Sequence, residues 1–159
     1  MTRNRTGLYL RLGLGMLAFE AGLIGVHAQF FPTYFYREFL FGRGWVQMLP
    51  PYNEHITRDL GALYLGFFVL LAFAAVRLSK DLVNAATVSF MVATLPHMVF
   101  HALHTEDAPL LVDKVLQVGL LALTMAAGLL LMWLAHLHFD ASPPRNRASR
   151  RPQLQSQAR

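Results

Sequence analysis

Apolar residues fill four long runs, at about 8–31, 57–76, 82–103 and 111–137, separated by short polar stretches. At 1.5 Å per residue each run makes a helix of roughly 30 to 40 Å, enough to cross a hydrocarbon core of about 30 Å. The pattern predicts an all-α fold, a four-transmembrane-helix antiparallel bundle over residues 1–139, followed by a basic tail at 140–159. That tail is rich in Arg, Pro, Ser and Gln and reads as disordered. The short stretch at 77–81, with Ser79 or Asp81 as an N-cap, makes the second and third spans antiparallel neighbours. The connection from Pro32 to Glu54 is longer. It carries Tyr34, Phe35, Tyr36, Phe39, Phe41 and Trp45, with turns marked by Gly42, Gly44, Pro50 and Pro51. Such a segment either anchors the bundle at the headgroup layer or lids a pocket.

Composition agrees with this reading: 55% of the 159 residues are hydrophobic and the mean hydropathy is +0.38. Cysteine is absent, which excludes disulfides, thiolate catalysis and cysteine metal ligation. The net charge of +5 would suit nucleic acid, but most of the basic residues flank the spans. Arg3, Arg5, Arg11, Arg77, Lys80, Arg145, Arg147, Arg150, Arg151 and Arg159 fall on one side, and Arg37, Arg43, Arg58 and Lys114 on the other. Ten against four puts both termini in the cytoplasm of a protein of the plasma or inner membrane. The expected partners are therefore membrane lipids, with a second membrane protein or a homodimer as a further expectation, and no nucleic acid. A competing reading takes Arg3, Arg5 and Arg11, the apolar run and Val26-His27-Ala28 as a cleavable signal peptide, against which stands Glu20 inside the apolar region. A reporter active only in the cytoplasm is expected to work when fused after Arg159 and to fail near Gly42. A periplasm-only reporter working at the C-terminus would reverse the assignment.

Candidate chemistry lies in the same half of the spans. His97, His101 and His104 fall within a wedge of roughly 60° on one helical face. Ionisable groups in hydrocarbon are costly, about 2.5 to 3.5 kcal/mol each when charged, so residues well inside a span invite a functional reading. Pro96 deprives the Val92 carbonyl of its helical donor and predicts a kink beside this file. Glu20 and His27, seven residues apart, share a face of the first helix. Glu54 with Arg58, and His55 with Asp59, have the i,i+4 spacing of ion pairs. His104, Glu106, Asp107, Asp113 and Lys114 crowd the turn between the last two spans, and Gln117 lies one turn below Asp113. The metal-ligand candidates are His97, His101 and His104. Glu20, His27, Glu54, Arg58 and Asp59 are the candidates for holding a cofactor or ligand. Convergence of Glu20, His27, the histidine file and the start of the second helix on one cavity is expected, because polar groups isolated in lipid would each bear their desolvation alone.

The run at 11–23, RLGLGMLAFEAGL, resembles the opening helix of the DoxX-like small four-helix membrane proteins of bacteria. The segments PYNEHITRDLGA at 51–62 and PHMVFH at 96–101 look more like a group of uncharacterised bacterial membrane proteins of this size. The resemblance implies a membrane bundle, in some cases associated with redox partners, and brings no catalytic residues. Two function classes follow. In one, an outer-leaflet His/carboxylate cluster binds a transition metal, a haem or a small polar ligand. In the other, the protein is a non-catalytic accessory or scaffold subunit whose polar cluster serves helix packing. Enzymatic activity is left open, since a diiron hydroxylase site would need more histidines than converge here.

Overall fold

A computed structural model describes residues 3–40, 42–48, 51–104, 108 and 110–140. Its elements are α1 (Arg3–Phe30), α2 (Pro32–Glu38), α3 (Glu54–Arg77), α4 (Lys80–Leu103) and α5 (Leu111–Phe139). Among the described residues, α1 (from Asn4), α3, α4 and α5 are long and apolar enough to cross a membrane. The predicted all-α bundle is therefore what forms, with a short fifth helix inside the first connection. Phe41, Pro50, Glu106, Asp107 and the tail at 141–159 lie outside the described residues.

Local chemistry sets the boundaries. Pro32 opens α2, where its missing N–H costs nothing. Gly42 and Gly44 turn the following segment through left-handed backbone, at φ 74° and 63°. Asn53 caps α3 by accepting the Ile56 N–H at 3.1 Å. At the other end of α3, Leu78 takes the left-handed conformation and returns its N–H to the Ala74 carbonyl at 2.9 Å. Ser79 then occupies the N-cap position of α4, but by its backbone and not through a side-chain bond. Asp81 sits in the first turn, where a negative charge complements the helix dipole. Helix α4 runs on through Pro96 to Leu103.

The four long helices form a ring in chain order, α1 to α3 to α4 to α5 and back to α1, each antiparallel to its neighbours. Packing around this ring is unequal: α1 with α3 is the most extensive contact, α4 with α5 follows, and the α1–α5 and α3–α4 contacts are smaller. Glycines explain the first. A Cβ built on Gly61 would lie 2.8 Å from the Cα of Gln29, and one on Gly25 would lie 2.8 Å from the Leu65 nitrogen. Backbone therefore meets backbone where α1 crosses α3.

Reciprocal arginine caps fix the same pair end to end. Arg11 of α1 donates to the Ala75 and Val76 carbonyls at 2.5 and 2.7 Å, in the last turn of α3. Arg58 of α3 donates to the Gln29 carbonyl in the last turn of α1. Each guanidinium satisfies carbonyls that the helix leaves without a partner, at the end where a positive charge is favoured.

The core occupies one half of the bundle, the half nearer the described chain ends. Leu10, Leu14, Leu17, Leu71, Val83, Ala86, Phe90 and Leu131 are fully buried there. Lys80 and Asp140 close this end at 2.6 Å, and the ammonium holds the Asp140 carboxyl below its usual range. Large apolar side chains elsewhere face outward, among them Leu12, Phe73, Val92, Leu129 and Trp133. An exterior of this kind fits lipid and would be an aggregation hazard in water.

Candidate functional site

The other half of the bundle is not filled by core. It encloses a cavity of about 480 Å³ walled by α1, α3, α4 and α5. Tyr64 forms part of its wall beside the core and packs edge-on against Phe67 and Phe90, with ring centroids 6.1 and 6.2 Å apart. At the opposite end lie Phe35, Phe39, Leu40, Trp45 and Val46 from the long connection. This segment therefore covers the cavity, and of the two readings of the aromatic connection the lid is the one with contacts behind it.

Asp113 holds the cover in place. Its carboxylate accepts from Arg43 Nε at 2.5 Å and from the Trp45 indole N–H at 2.8 Å. Its residue surface is only 3% exposed, so the two donors bind a shielded acceptor. On the next turn of α5, the Gln117 amide faces Met48 Sδ at 3.6 Å. Asp113, Gln117 and Thr124 all fall on the inward stripe of α5.

Besides the Tyr64 phenol of α3, polar groups of the cavity wall come from α1, α4 and α5. Glu20 on α1 meets Thr124 on α5, whose hydroxyl lies 2.9 and 3.1 Å from the two carboxylate oxygens. His97 and His101 of α4 line the same cavity, their rings edge-on with centroids 4.7 Å apart. Gln117 completes the set. Among the described residues no Lys or Arg lines the cavity. On the side between α1 and α5 the wall is made by Met16, Phe19, Leu120 and Leu123, of which Phe19 is 69% and Leu123 64% exposed. The cavity opens there, toward an exposed apolar surface.

The other expected residues are placed elsewhere. His27 is turned to its own helix, with Nδ1 2.7 Å from the Leu23 carbonyl, and is enclosed by the rings of Phe31, Tyr34 and Phe39. His104 caps α4: its Nδ1 lies 2.9 Å from the Phe100 carbonyl, and its ring stacks on Phe100 at 4.1 Å. Glu54 pairs with Arg58 at 2.8 Å, and His55 with Asp59 at 3.3 Å. Both i,i+4 pairs form, but none of Glu54, Arg58 and Asp59 lines the cavity. The expected convergence thus holds for Glu20, His97 and His101. It does not extend to His27, His104 or the start of α3.

The donor geometry gives a metal no support. Among the described residues no three His, Asp or Glu side chains are grouped so as to hold an ion. Structural and catalytic zinc sites use at least three protein ligands, which the pair His97 and His101 does not reach. Two residues that sequence reasoning passed over matter to the cavity, Thr124 and Tyr64. Thr124 left a readable trace: it is the lone hydroxyl in the run LLALTMAAGLLL at 120–131, seven residues beyond Gln117 and so nearly on its face. The chain matches no family model, no curated protein and no solved structure.

Proposed function

We propose that the chain is a multi-pass protein of the cell membrane, both termini cytoplasmic, that binds a small molecule with an apolar body and a polar group. The observation that carries this reading is the meeting of Glu20, His97 and His101, from helices remote in sequence, at one cavity of about 480 Å³. Small-molecule sites commonly measure about 300 to 1,000 Å³ and combine an apolar wall with a few polar groups, which is the character of this one. A metal ion is not part of the reading, because among the described residues no three donors group for one.

Ala127 lines the cavity and is partly buried, so Ala127→Phe places a ring in the ligand volume. Reconstituted in nanodiscs, the parent protein is expected to bind an environment-sensitive apolar dye saturably, and Ala127→Phe to bind it about tenfold more weakly at unchanged helix content. Non-saturable partitioning by the parent, equal to that of empty nanodiscs, would sink the binding reading.

The contact between Glu20 and Thr124 favours a second reading, an accessory subunit in which polar groups serve helix packing and a partner protein or second copy covers the outward faces. Interhelical hydrogen bonds in membranes are worth about 0.6 to 2 kcal/mol. On that reading Thr124→Val lowers stability by such an amount, and the dye experiment shows no site.

A further inference from the structure

The charge pattern of the cavity selects a ligand class. Among the described residues Glu20 is the one carboxylate lining it, and no lysine or arginine lines it to balance a negative charge. Thr124 supplies a single hydroxyl to a group that offers about four lone-pair sites, so most of the carboxylate's accepting capacity faces the cavity. The rings of Phe35, Trp45 and Tyr64 line the same space, and the face of an aromatic ring attracts a cation. An anionic head would be repelled by the Glu20 carboxylate, with the imidazoles of His97 and His101 as the basic groups on the wall among the described residues. A neutral head would leave the carboxyl either protonated or ionised without a counter-charge, whereas an ammonium supplies that charge.

We infer that the cavity receives a lipophilic ammonium, a long apolar body carrying one protonated amine, which enters from the bilayer between α1 and α5 and pairs its N–H with Glu20. The inference rests on the cavity-binding reading and deepens it. Entry from the side follows from the exposed apolar residues at the opening, Met16, Phe19, Leu120 and Leu123, which present no polar barrier to a lipid-dissolved molecule. The ammonium then exchanges a headgroup-layer environment for a charge-assisted hydrogen bond in a site shielded from water. The tail packs along the apolar wall.

Three ligands with one tail and different heads test this: N,N-dimethyldodecylamine, dodecanol and dodecanoate. Trp45 lines the cavity and the second tryptophan, Trp133, is exposed, so Trp133→Phe leaves Trp45 as the reporter. With that variant of the full chain in nanodiscs at neutral pH, the amine is expected to saturate the Trp45 signal at a concentration about tenfold or more below either other ligand. Adding Glu20→Gln is expected to remove this preference, so that the amine no longer binds more tightly than dodecanol. Equal binding of amine and alcohol by the parent would overturn the ammonium assignment while leaving the cavity-binding reading in place. Retention of amine preference in Glu20→Gln would overturn it in the same way. Absence of a saturable signal with all three heads would overturn both readings. If Glu20→Gln fails to fold, the ranking of the three heads on the parent still decides.

Discussion

Gly61→Leu is expected to abolish the monodisperse bundle, whereas Gly66→Leu on the same helix leaves it intact. At Gly61 a Cβ would meet the Gln29 Cα at 2.8 Å and the Ala28 carbonyl carbon at 2.9 Å, and backbone atoms cannot swing aside as a side chain does. Parting α1 from α3 would also pull the Arg58 guanidinium from the Gln29 carbonyl. Overpacking typically costs on the order of 1 to 3 kcal/mol, and a clash with backbone belongs at the upper end. Against a total stability of about 5 to 15 kcal/mol, that loss together with the lost cap is severe. Gly66 has nothing within 4 Å of an added Cβ. Size-exclusion profiles and unfolding in mixed detergent measure the contrast. Equal behaviour of the two variants would mean that α1 and α3 do not cross at Gly61.

Asp113→Ala is expected to release the cover of the cavity without unfolding the bundle. The substitution leaves the Arg43 guanidinium and the Trp45 indole N–H without their shared acceptor, so that the side-chain contact from α5 that remains is the weak one from Gln117 to Met48, beside local backbone bonds. Limited proteolysis near Gly42 and Gly44 is expected to quicken severalfold, with little change in helix content. Trp45 emission should shift to the red as the ring meets water, and dye binding in the cavity should weaken, since Trp45 and Val46 lie against it. A segment as protected in the variant as in the parent would show that Asp113 does not hold it.

Unlike α2, which Pro32 opens inside the first connection, the four long helices and their order were legible, because each span is long and apolar and Ser79 stands between two of them. The i,i+4 pairs were legible for the same reason, since both partners lie on one helix. What sequence spacing does not contain is the rotation of one helix against another. Glu20 and His27 share a face of α1, yet they part company because the chain turns at Pro32 and packs Tyr34 and Phe39 around His27. His104 shares the face of His97 and His101, but at the end of α4 its ring nitrogen lies against the Phe100 carbonyl, which also accepts the His104 backbone N–H, and the local contact wins. The partner of Glu20, Thr124, and the partners of Asp113, Arg43 and Trp45, are far away in the chain and meet only through packing.

The unequal packing around the ring has a consequence for biogenesis. Helices α1 and α3, clasped by reciprocal arginine caps and close glycines, make one hairpin; α4 and α5 make the other. Helices that are each stable across a bilayer associate in a second stage, after insertion. The carboxylate of Glu20 enters with the first hairpin, and Thr124, His97 and His101 arrive with the second. If the chain enters a membrane as proposed, Glu20 has no Thr124 hydroxyl beside it until the later hairpin docks. Docking of the second hairpin is the event that creates the cavity, and a molecule bound there would act as a wedge-shaped cement between two preassembled halves.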